Sequence, residues 1–261
     1  METGLKGKNA LVIASSQGLG EATARELVNE GANVLLVSRN EDKLQKVNSD
    51  LNALGPGRTA FIAADITKTE DIDAIIKKIS EEFGGIDILV NNAGGPPAGS
   101  FEQMTDEQWQ ASFELNLLSY IRIIRKALPY LKKNGGKIIN IASSSIKEPI
   151  PGLILSNTFR TAIVGLSKTL AEELAPFNIL VNTVAPGRIA TDRVRHLDDV
   201  NAEKLGISRE EVEKNAKSKI PLGRYGRPEE FARAIVFFAS DANTYMTGGA
   251  YLVDGGMVRS I

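Results

Sequence analysis

Residues 9–20 read Asn-Ala-Leu-Val-Ile-Ala-Ser-Ser-Gln-Gly-Leu-Gly, and this stretch decides the fold. Its apolar part, 10–14, is short and continuous, which is typical of a strand buried on both faces of a parallel sheet. Two glycines follow, and apolar residues recur with helical spacing over 18–30. Free backbone N–H groups and the positive end of the helix dipole therefore meet at a glycine turn, which suits a bound pyrophosphate. The alternative is that the two glycines only allow the chain to turn between strand and helix and bind no ligand.

The same alternation of apolar runs and amphipathic stretches continues along the chain. It predicts strands at 10–14, 33–37, 59–63, 87–91, 137–141, 179–183 and 250–253, and helices at 18–30, 41–54, 69–83, 105–133, 156–175 and 228–239. No proline- or serine-rich linker divides these units. The sequence therefore predicts one α/β domain over 1–261, a Rossmann-type doubly wound parallel sheet with helices on both faces.

One charged stretch, at about 188–219, breaks the alternation because it has a helical pattern and little strand signal. Ligands bind at the carboxyl ends of the strands in such sheets, so we expect a substrate lid there. The alternative is a solvated excursion on the surface.

Composition excludes several classes of protein. The 31 Lys and Arg residues balance 32 Asp and Glu residues, which gives no general field for nucleic acid or an anionic membrane. There is no cysteine and a single histidine, His196, so we expect no metal site and no Ser-His-Asp hydrolase. No apolar run approaches the ~20 residues of a membrane span, and no signal-peptide pattern begins the chain. We expect a cytoplasmic protein with a small-molecule substrate.

The end of the second predicted strand carries information about the cofactor. A site for NAD usually has a carboxylate here, which binds the ribose hydroxyls, whereas a nearby arginine accommodates a 2′-phosphate. This chain has Ser38 followed by Arg39. Since a guanidinium pairs well with a phosphate, the sequence favours NADP(H) over NAD(H), with a surface arginine as the alternative.

Motifs over nearly the whole chain resemble the short-chain dehydrogenase/reductase family. Asn91-Asn92-Ala93-Gly94 reproduces a motif of that family, and Pro186-Gly187 followed by Thr191 resembles its nicotinamide-binding segment. Its glycine motif is matched at Gly18 and Gly20, with Ala14 in place of the first glycine. The resemblance implies reversible hydride transfer between a carbonyl and an alcohol. The nearest groups are 3-oxoacyl-carrier-protein reductases and sugar or polyol dehydrogenases, and a homotetramer or homodimer is the family expectation.

The resemblance also implies a set of site residues. Those expected to bind the cofactor are Ser15, Gln17, Gly18, Leu19, Gly20, Ser38, Arg39, Asp65, Ile66, Asn92, Ala93, Gly94, Arg160, Pro186, Gly187, Ile189 and Thr191. Those expected at the reacting carbonyl are Asn116, Ser143, Ser156 and Arg160. Among these, Asp65 would contact the adenine ring, Asn116 would hold a water of the proton relay, and Ser143 would orient the substrate.

The chain departs from the family at the Tyr-x-x-x-Lys motif. Counting from Ser143 puts Ser156 at the tyrosine position and Arg160 at the lysine position. In the family, the tyrosine exchanges a proton with the substrate oxygen, and the lysine lowers the pKa of the tyrosine. A serine hydroxyl is a far weaker acid, and an arginine keeps its proton at ordinary pH. The replacement therefore keeps hydrogen-bond donors and removes the proton source.

Three hypotheses follow from this departure. The one we favour is a slow reductase, in which Ser143 and Ser156 polarise the carbonyl and a water held by Asn116 supplies the proton. General acid catalysis is worth roughly 10²–10⁴-fold, so such an enzyme is feasible. In the second hypothesis Lys147 replaces the tyrosine if burial lowers its pKa, but an exposed loop lysine is the commoner case. In the third, the protein is a non-catalytic dinucleotide-binding subunit or sensor.

Overall fold

The computed structural model describes residues 2–260. Its strands are β1 (Asn9–Ile13), β2 (Asn33–Ser38), β3 (Thr59–Ala63), β4 (Ile88–Asn91), β5 (Gly136–Ile141), β6 (Ile179–Pro186) and β7 (Ala250–Val253). Its α-helices are α1 (Gly18–Asn29), α2 (Glu41–Asn52), α3 (Thr69–Phe83), α4 (Asp106–Phe113), α5 (Ser119–Asn134), α6 (Ile154–Leu174), α7 (Asp192–Leu205), α8 (Arg209–Lys217) and α9 (Pro228–Ala239).

The strands form one parallel sheet in the order β3-β2-β1-β4-β5-β6-β7. The order reverses direction between β1 and β4, and the crevice at such a switch point is where ligands bind in doubly wound sheets. The predicted fold class is therefore confirmed.

Apolar clusters cover both faces of the sheet. In β1, Leu11 and Ile13 pack with α3, α5 and α6, whereas Ala10 and Val12 pack with α1, α2 and α9. Successive side chains of a strand point to opposite faces, so a strand covered on both sides must be apolar at every position. This explains why the apolar runs of the sequence are continuous rather than alternating.

Several element ends differ from the prediction by one to three residues, and two differences have a structural reason. The helix expected at 105–133 is α4 and α5 joined by a π-helical segment, Glu114–Leu118, whose wider turn redirects the side chains within it. The first strand ends at Ile13 rather than at residue 14, because Ala14 has a left-handed backbone with a φ of 52°. The 188–219 segment contains α7 and α8, and its role as a lid stays a prediction.

Within residues 2–260, no helix combines the length and the apolar character that crossing a membrane requires.

Candidate active site

The turn between β1 and α1 is built on a left-handed alanine. A φ of 52° at Ala14 costs roughly 1–2 kcal/mol for a residue with a Cβ, yet the turn forms. The Asn92 amide donates to the Ala14 carbonyl over 3.4 Å. A Cβ at Gly20 would overlap that same carbonyl, so the turn requires glycine at position 20. Ser15 is fully buried, and its hydroxyl ties the turn to the Val12 carbonyl at 2.9 Å.

Polar side chains gather where this turn meets the end of β2. The hydroxyl of Ser16 donates to that of Ser38 at 2.8 Å, and the Lys43 ammonium donates to the Gln17 side chain at 2.6 Å. The Arg39 side chain is exposed beside them. Sequence reasoning missed Lys43, although its place in the first turn of α2 follows from the helix start at Asn40, whose side chain caps the Lys43 N–H.

Asp65 follows β3 on the same side of the cleft. Burial alone would raise its pKa, but hydrogen bonds from the backbone and hydroxyl of Thr67, at 3.0 and 2.8 Å, and the positive charge of Arg39 lower the pKa overall. Asp65 is therefore ionised at neutral pH. The side chain of the neighbouring Ile66 is buried in the apolar cluster rather than open to the cleft.

The carboxyl ends of β4, β5 and β6 carry a row of buried polar residues. Asn91, Asn140 and Thr183 are register partners across the three strands. The Asn91 amide donates to Asn140 at 2.8 Å, and Asn140 and Thr183 each donate to the Ser167 hydroxyl at 2.9 Å. Buried polar groups joined in this way fix the strand ends relative to α6.

Asn116 lies in the π-helical segment and is fully buried. Its amide nitrogen donates to the Gly94 carbonyl over 2.8 Å, which fixes the side chain against the loop after β4. Its Oδ1 atom finds no hydrogen-bond partner among the residues that the structure describes. Since an unpaired buried acceptor is costly, this oxygen is suited to a water or a ligand group.

Ser143 follows β5, and its hydroxyl oxygen accepts the Ser145 N–H over 3.2 Å. The hydrogen of the Ser143 hydroxyl is thus left for another acceptor. Ser145 is 3% exposed, and its hydroxyl oxygen has no partner within residues 2–260. Two hydroxyl groups with unused donors therefore stand next to each other at the end of β5.

Arg160 projects from α6 into the protein and is 5% exposed. Its guanidinium donates to the Ala93 carbonyl at 3.0 Å, the Ile141 carbonyl at 3.0 Å and the Tyr120 hydroxyl at 3.1 Å. It thereby joins the ends of β4 and β5 to α5. Ser156, one turn earlier on α6, is half-buried and makes no hydrogen bond through its hydroxyl to any described residue.

Tyr120 was missed from the sequence. It is fully buried, and its hydroxyl accepts from Arg160 and donates to the Ile141 carbonyl over 3.1 Å. Burial raises the pKa of Tyr120, although the Arg160 charge opposes the rise. The phenol is therefore neutral, and its hydroxyl is already paired with Arg160 and Ile141. The sequence signal that could have identified Tyr120 is its spacing of four residues from Asn116, which puts the two side chains on the same face of a helix.

The loop between Ser143 and α6 is held by several contacts. Asn157 exchanges two hydrogen bonds with the backbone of Ile150, at 3.0 and 3.2 Å, and was not singled out from the sequence. The Glu148 carboxylate accepts from the backbone N–H groups of Arg259 and Ser260, both at 2.7 Å. Lys147 is exposed, so the burial that the second hypothesis requires is absent.

The segment after β6 forms the other side of the cleft. A Cβ at Gly187 would lie 2.6 Å from the Asp254 Cβ, so the glycine lets Pro186 and its neighbours pack against the turn after β7. The Ile189 side chain is buried. Thr191 caps α7, and its side chain would lie 3.7 Å from a Cβ at Gly18. Thr191 therefore faces the glycine turn across the cleft.

A second polar network lies at the base of the 188–219 segment. Arg188 pairs with the fully buried Asp198 of α7, and the Tyr225 hydroxyl donates to Asp198 at 2.9 Å. Burial raises the pKa of Tyr225 to about 12, and the carboxylate of Asp198 adds to the rise although Arg188 opposes it. The network joins β6, α7 and the strand-like segment before α9.

Comparisons with known proteins agree with this architecture. A family model described as "Enoyl-(Acyl carrier protein) reductase" matches residues 13–258. The oxidoreductase YvrD of Bacillus subtilis is 37% identical over 266 residues, covering 100% of both chains. The 3-oxoacyl-(acyl-carrier-protein) reductase FabG of Thermotoga maritima is 34% identical, covering 97% of this chain and 99% of the relative.

A solved structure is also similar over the full length. The L-sorbose reductase of Gluconobacter frateurii, complexed with NADPH and L-sorbose, has a TM-score of 0.95 at 34% identity and covers 100% of both chains. Sheet order, strand-end motifs, family model and relatives point the same way: the chain belongs to the short-chain dehydrogenase/reductase family of oxidoreductases.

Proposed function

We propose that the protein uses NADP(H) to interconvert a carbonyl and an alcohol at an atypical active site. The observation that carries the choice of cofactor is the end of β2. Ser38 stands where a site for NAD has a carboxylate, and the exposed Arg39 lies beside it, with Ser16 and Lys43 next to them. A 2′-phosphate requires donors and positive charge, and this group offers both. The NADPH complex of the similar sorbose reductase supports the choice.

The cleft residues fit a dinucleotide. The turn from Ala14 to Gly20 leaves no room for a side chain at position 20, and Gly18, with a φ of 62°, faces Thr191 across the cleft. These are the features of a backbone that a pyrophosphate approaches closely. Bound NADPH would supply the hydride for the carbonyl carbon, and the nicotinamide would lie between Gly94 and the Pro186 segment.

The chain's own groups would act on the carbonyl oxygen. The Ser143 hydroxyl has a free hydrogen, and Ser156 has a hydroxyl without an internal partner, so both can donate to that oxygen. The free Oδ1 of Asn116 would hold the water that gives the proton. Arg160 would act as a positioning residue, because its donors fix the ends of β4 and β5.

The substrate class follows the relatives. A 3-oxoacyl compound is named for FabG, and a sugar is named for the sorbose reductase. We propose a small carbonyl compound of one of these two types. We also propose a homodimer or homotetramer in the cytoplasm, formed through α4, α5 and α6, as the resemblance to the family implies.

The hydrogen bonding of Arg160 supports a second candidate function, that of a non-catalytic subunit or sensor. Its donors are used within the protein, and no phenol is available for proton transfer. A subunit or sensor that binds the dinucleotide without turning it over would tolerate both features.

A fluorescence titration with NADPH and NADH tests the proposal. We expect the native protein to bind NADPH at least tenfold more tightly than NADH. Arg39→Met should weaken NADPH binding about ten- to hundredfold, the value of a charge-assisted hydrogen bond, and leave NADH binding unchanged. Arg58→Met, at an exposed arginine before β3 and outside the proposed subunit interface, is the matched control. Equal affinities for the two cofactors would refute the choice of NADP(H), and binding without turnover of any carbonyl would favour the sensor.

A further inference from the structure

Two arginines from different helices hold the same loop. This loop, residues 93–97, follows β4. Arg160 of α6 donates to its first carbonyl, that of Ala93, over 3.0 Å. Arg193 of α7 donates to the Pro96 carbonyl over 2.8 Å. A Cβ at Gly95 would lie 2.9 Å from the Arg193 guanidinium, so the loop must be bare at that position for the guanidinium to lie against it.

Neither guanidinium has a counter-charge. Within residues 2–260, no carboxylate oxygen lies within 4.0 Å of Arg160 or Arg193. The neighbouring arginines of the same segment differ, since Arg195 pairs with Asp192 at 3.1 Å and Arg188 pairs with Asp198. Burial and the repulsion from Arg160 lower the pKa of Arg193. A buried positive charge without a nearby counter-charge is stabilised when an anion binds beside it.

The position of Arg193 favours the substrate over the cofactor as the source of that anion. Arg193 contacts Gly95 and Pro96, beyond the Gly94 carbonyl that Asn116 fixes. The glycine turn, where a pyrophosphate would bind, is faced by Thr191 instead. Arg193 therefore contacts the same loop as Asn116, next to the region where the carbonyl would be reduced.

We propose that the substrate is an oxo acid and that Arg193 binds its carboxylate, with Arg160 adding to the positive potential. The inference rests on the proposed reduction of a carbonyl and replaces the two substrate types taken from the relatives, because neither a neutral sugar nor a 3-oxoacyl thioester offers a carboxylate to Arg193. A guanidinium offers a planar pair of donors to the two carboxylate oxygens. The carbonyl group of the same molecule would then lie at Asn116 and Ser143.

Matched acid and ester probes test the substrate class. Levulinate and methyl levulinate, acetoacetate and methyl acetoacetate, and pyruvate and methyl pyruvate vary the distance between carbonyl and carboxylate. We expect at least one acid to be reduced with kcat/KM about ten- to hundredfold above that of its ester. Arg193→Met should remove this preference, Arg193→Lys should retain part of it, and the exposed Arg195→Met should leave it unchanged. Esters reduced as well as their acids would overturn the proposal.

A binding experiment separates this proposal from the redox activity. Pentanoate has no carbonyl group to reduce, so its binding to the NADP⁺-saturated protein, followed by NMR titration, does not depend on turnover. We expect pentanoate to bind, methyl pentanoate not to bind, and Arg193→Met to abolish the difference. Pentanoate binding without reduction of any probe would support the anion site and refute the reductase. A weaker NADPH affinity in Arg193→Met would assign the arginine to the pyrophosphate and overturn the proposal.

Discussion

The glycine turn after β1 and the corner where β4 and β5 meet α6 differ in the exposure and pairing of their polar side chains. At the turn, the Arg39 side chain is exposed, and the Ser38 hydroxyl, which accepts from Ser16 and from the Asn40 N–H, keeps its own hydrogen for a ligand. At the corner, Arg160 is 5% exposed, and its donors are used by two carbonyls and the Tyr120 hydroxyl. The buried and paired guanidinium of Arg160 therefore fits a role in the protein's framework, whereas the exposed guanidinium of Arg39 is the one that we propose to bind a ligand.

The largest expected effect comes from restoring a phenol at the corner. Ser156→Tyr places an acid one helical turn from Arg160, whose charge lowers the pKa of a nearby phenol. We expect kcat for levulinate or its methyl ester to rise by about 10²–10⁴-fold, the value of general acid catalysis. Ser156→Phe controls for ring size. If Ser156→Tyr loses turnover and Ser156→Phe does not, Ser156 itself takes part in the reaction. The side chains of the corner would then act on the ligand, as those of the glycine turn are proposed to do.

Removing the guanidinium tests its role in the framework. Arg160→Met leaves the Ala93 carbonyl without its donor and takes one donor from Ile141 and Tyr120. We expect the free energy of unfolding, measured with urea, to fall by roughly 3 kcal/mol. Arg58→Met should change it by less than about 1 kcal/mol, since that side chain is exposed and lies over the Phe83 ring outside the proposed subunit interface. Equal losses of unfolding free energy in the two variants would show that the Arg160 hydrogen bonds stabilise the fold no more than an exposed arginine does.

A smaller, pH-dependent effect is expected at the base of the 188–219 segment, where polar groups are again paired inside the protein. The pKa of Tyr225 is raised to about 12. The folded state therefore holds the proton more tightly than the unfolded state, whose tyrosine has a pKa of about 10. The stabilisation is complete below pH 10 and is lost as the pH rises through 12. Urea unfolding between pH 10 and 12 should show a loss of unfolding free energy that is smaller in Tyr225→Phe than in the native protein. The same loss in both proteins would show that Tyr225 does not cause it.

The fold could be predicted from the sequence because its signals are local. Continuous apolar runs, helical spacing and turn glycines each depend on neighbouring residues, and together they give the observed sheet. The ends of the helices and strands were predicted less accurately. Position 14 leaves the strand because of a backbone angle, and the π-helical segment around Asn116 interrupts a helix without any change in composition.

The site could be predicted only in part. Positions such as Asn116 and Ser143 were predicted from their resemblance to family motifs, and the structure brings them to the same edge of the sheet. Tyr120 was missed because its role depends on contact with Arg160, forty residues away in the chain. Sequence alone could not separate Arg193 from Arg195, since both lie in one charged stretch, and only the packing of α7 turns one toward the cleft.

The hydrogen bond between Tyr120 and Arg160 has a consequence for how such proteins diverge. A hydroxyl at position 120 can precede the change at position 160, because a phenol finds the Ile141 carbonyl without help from the arginine. In the reverse order, a buried guanidinium would lack one of its acceptors. Relatives that carry arginine at this position should therefore also carry a hydroxyl group at the other, and the two positions should be inherited together. An alignment restricted to positions 156 and 160 would record the serine and the arginine alone, whereas one that includes position 120 would also record the tyrosine that is paired with the arginine.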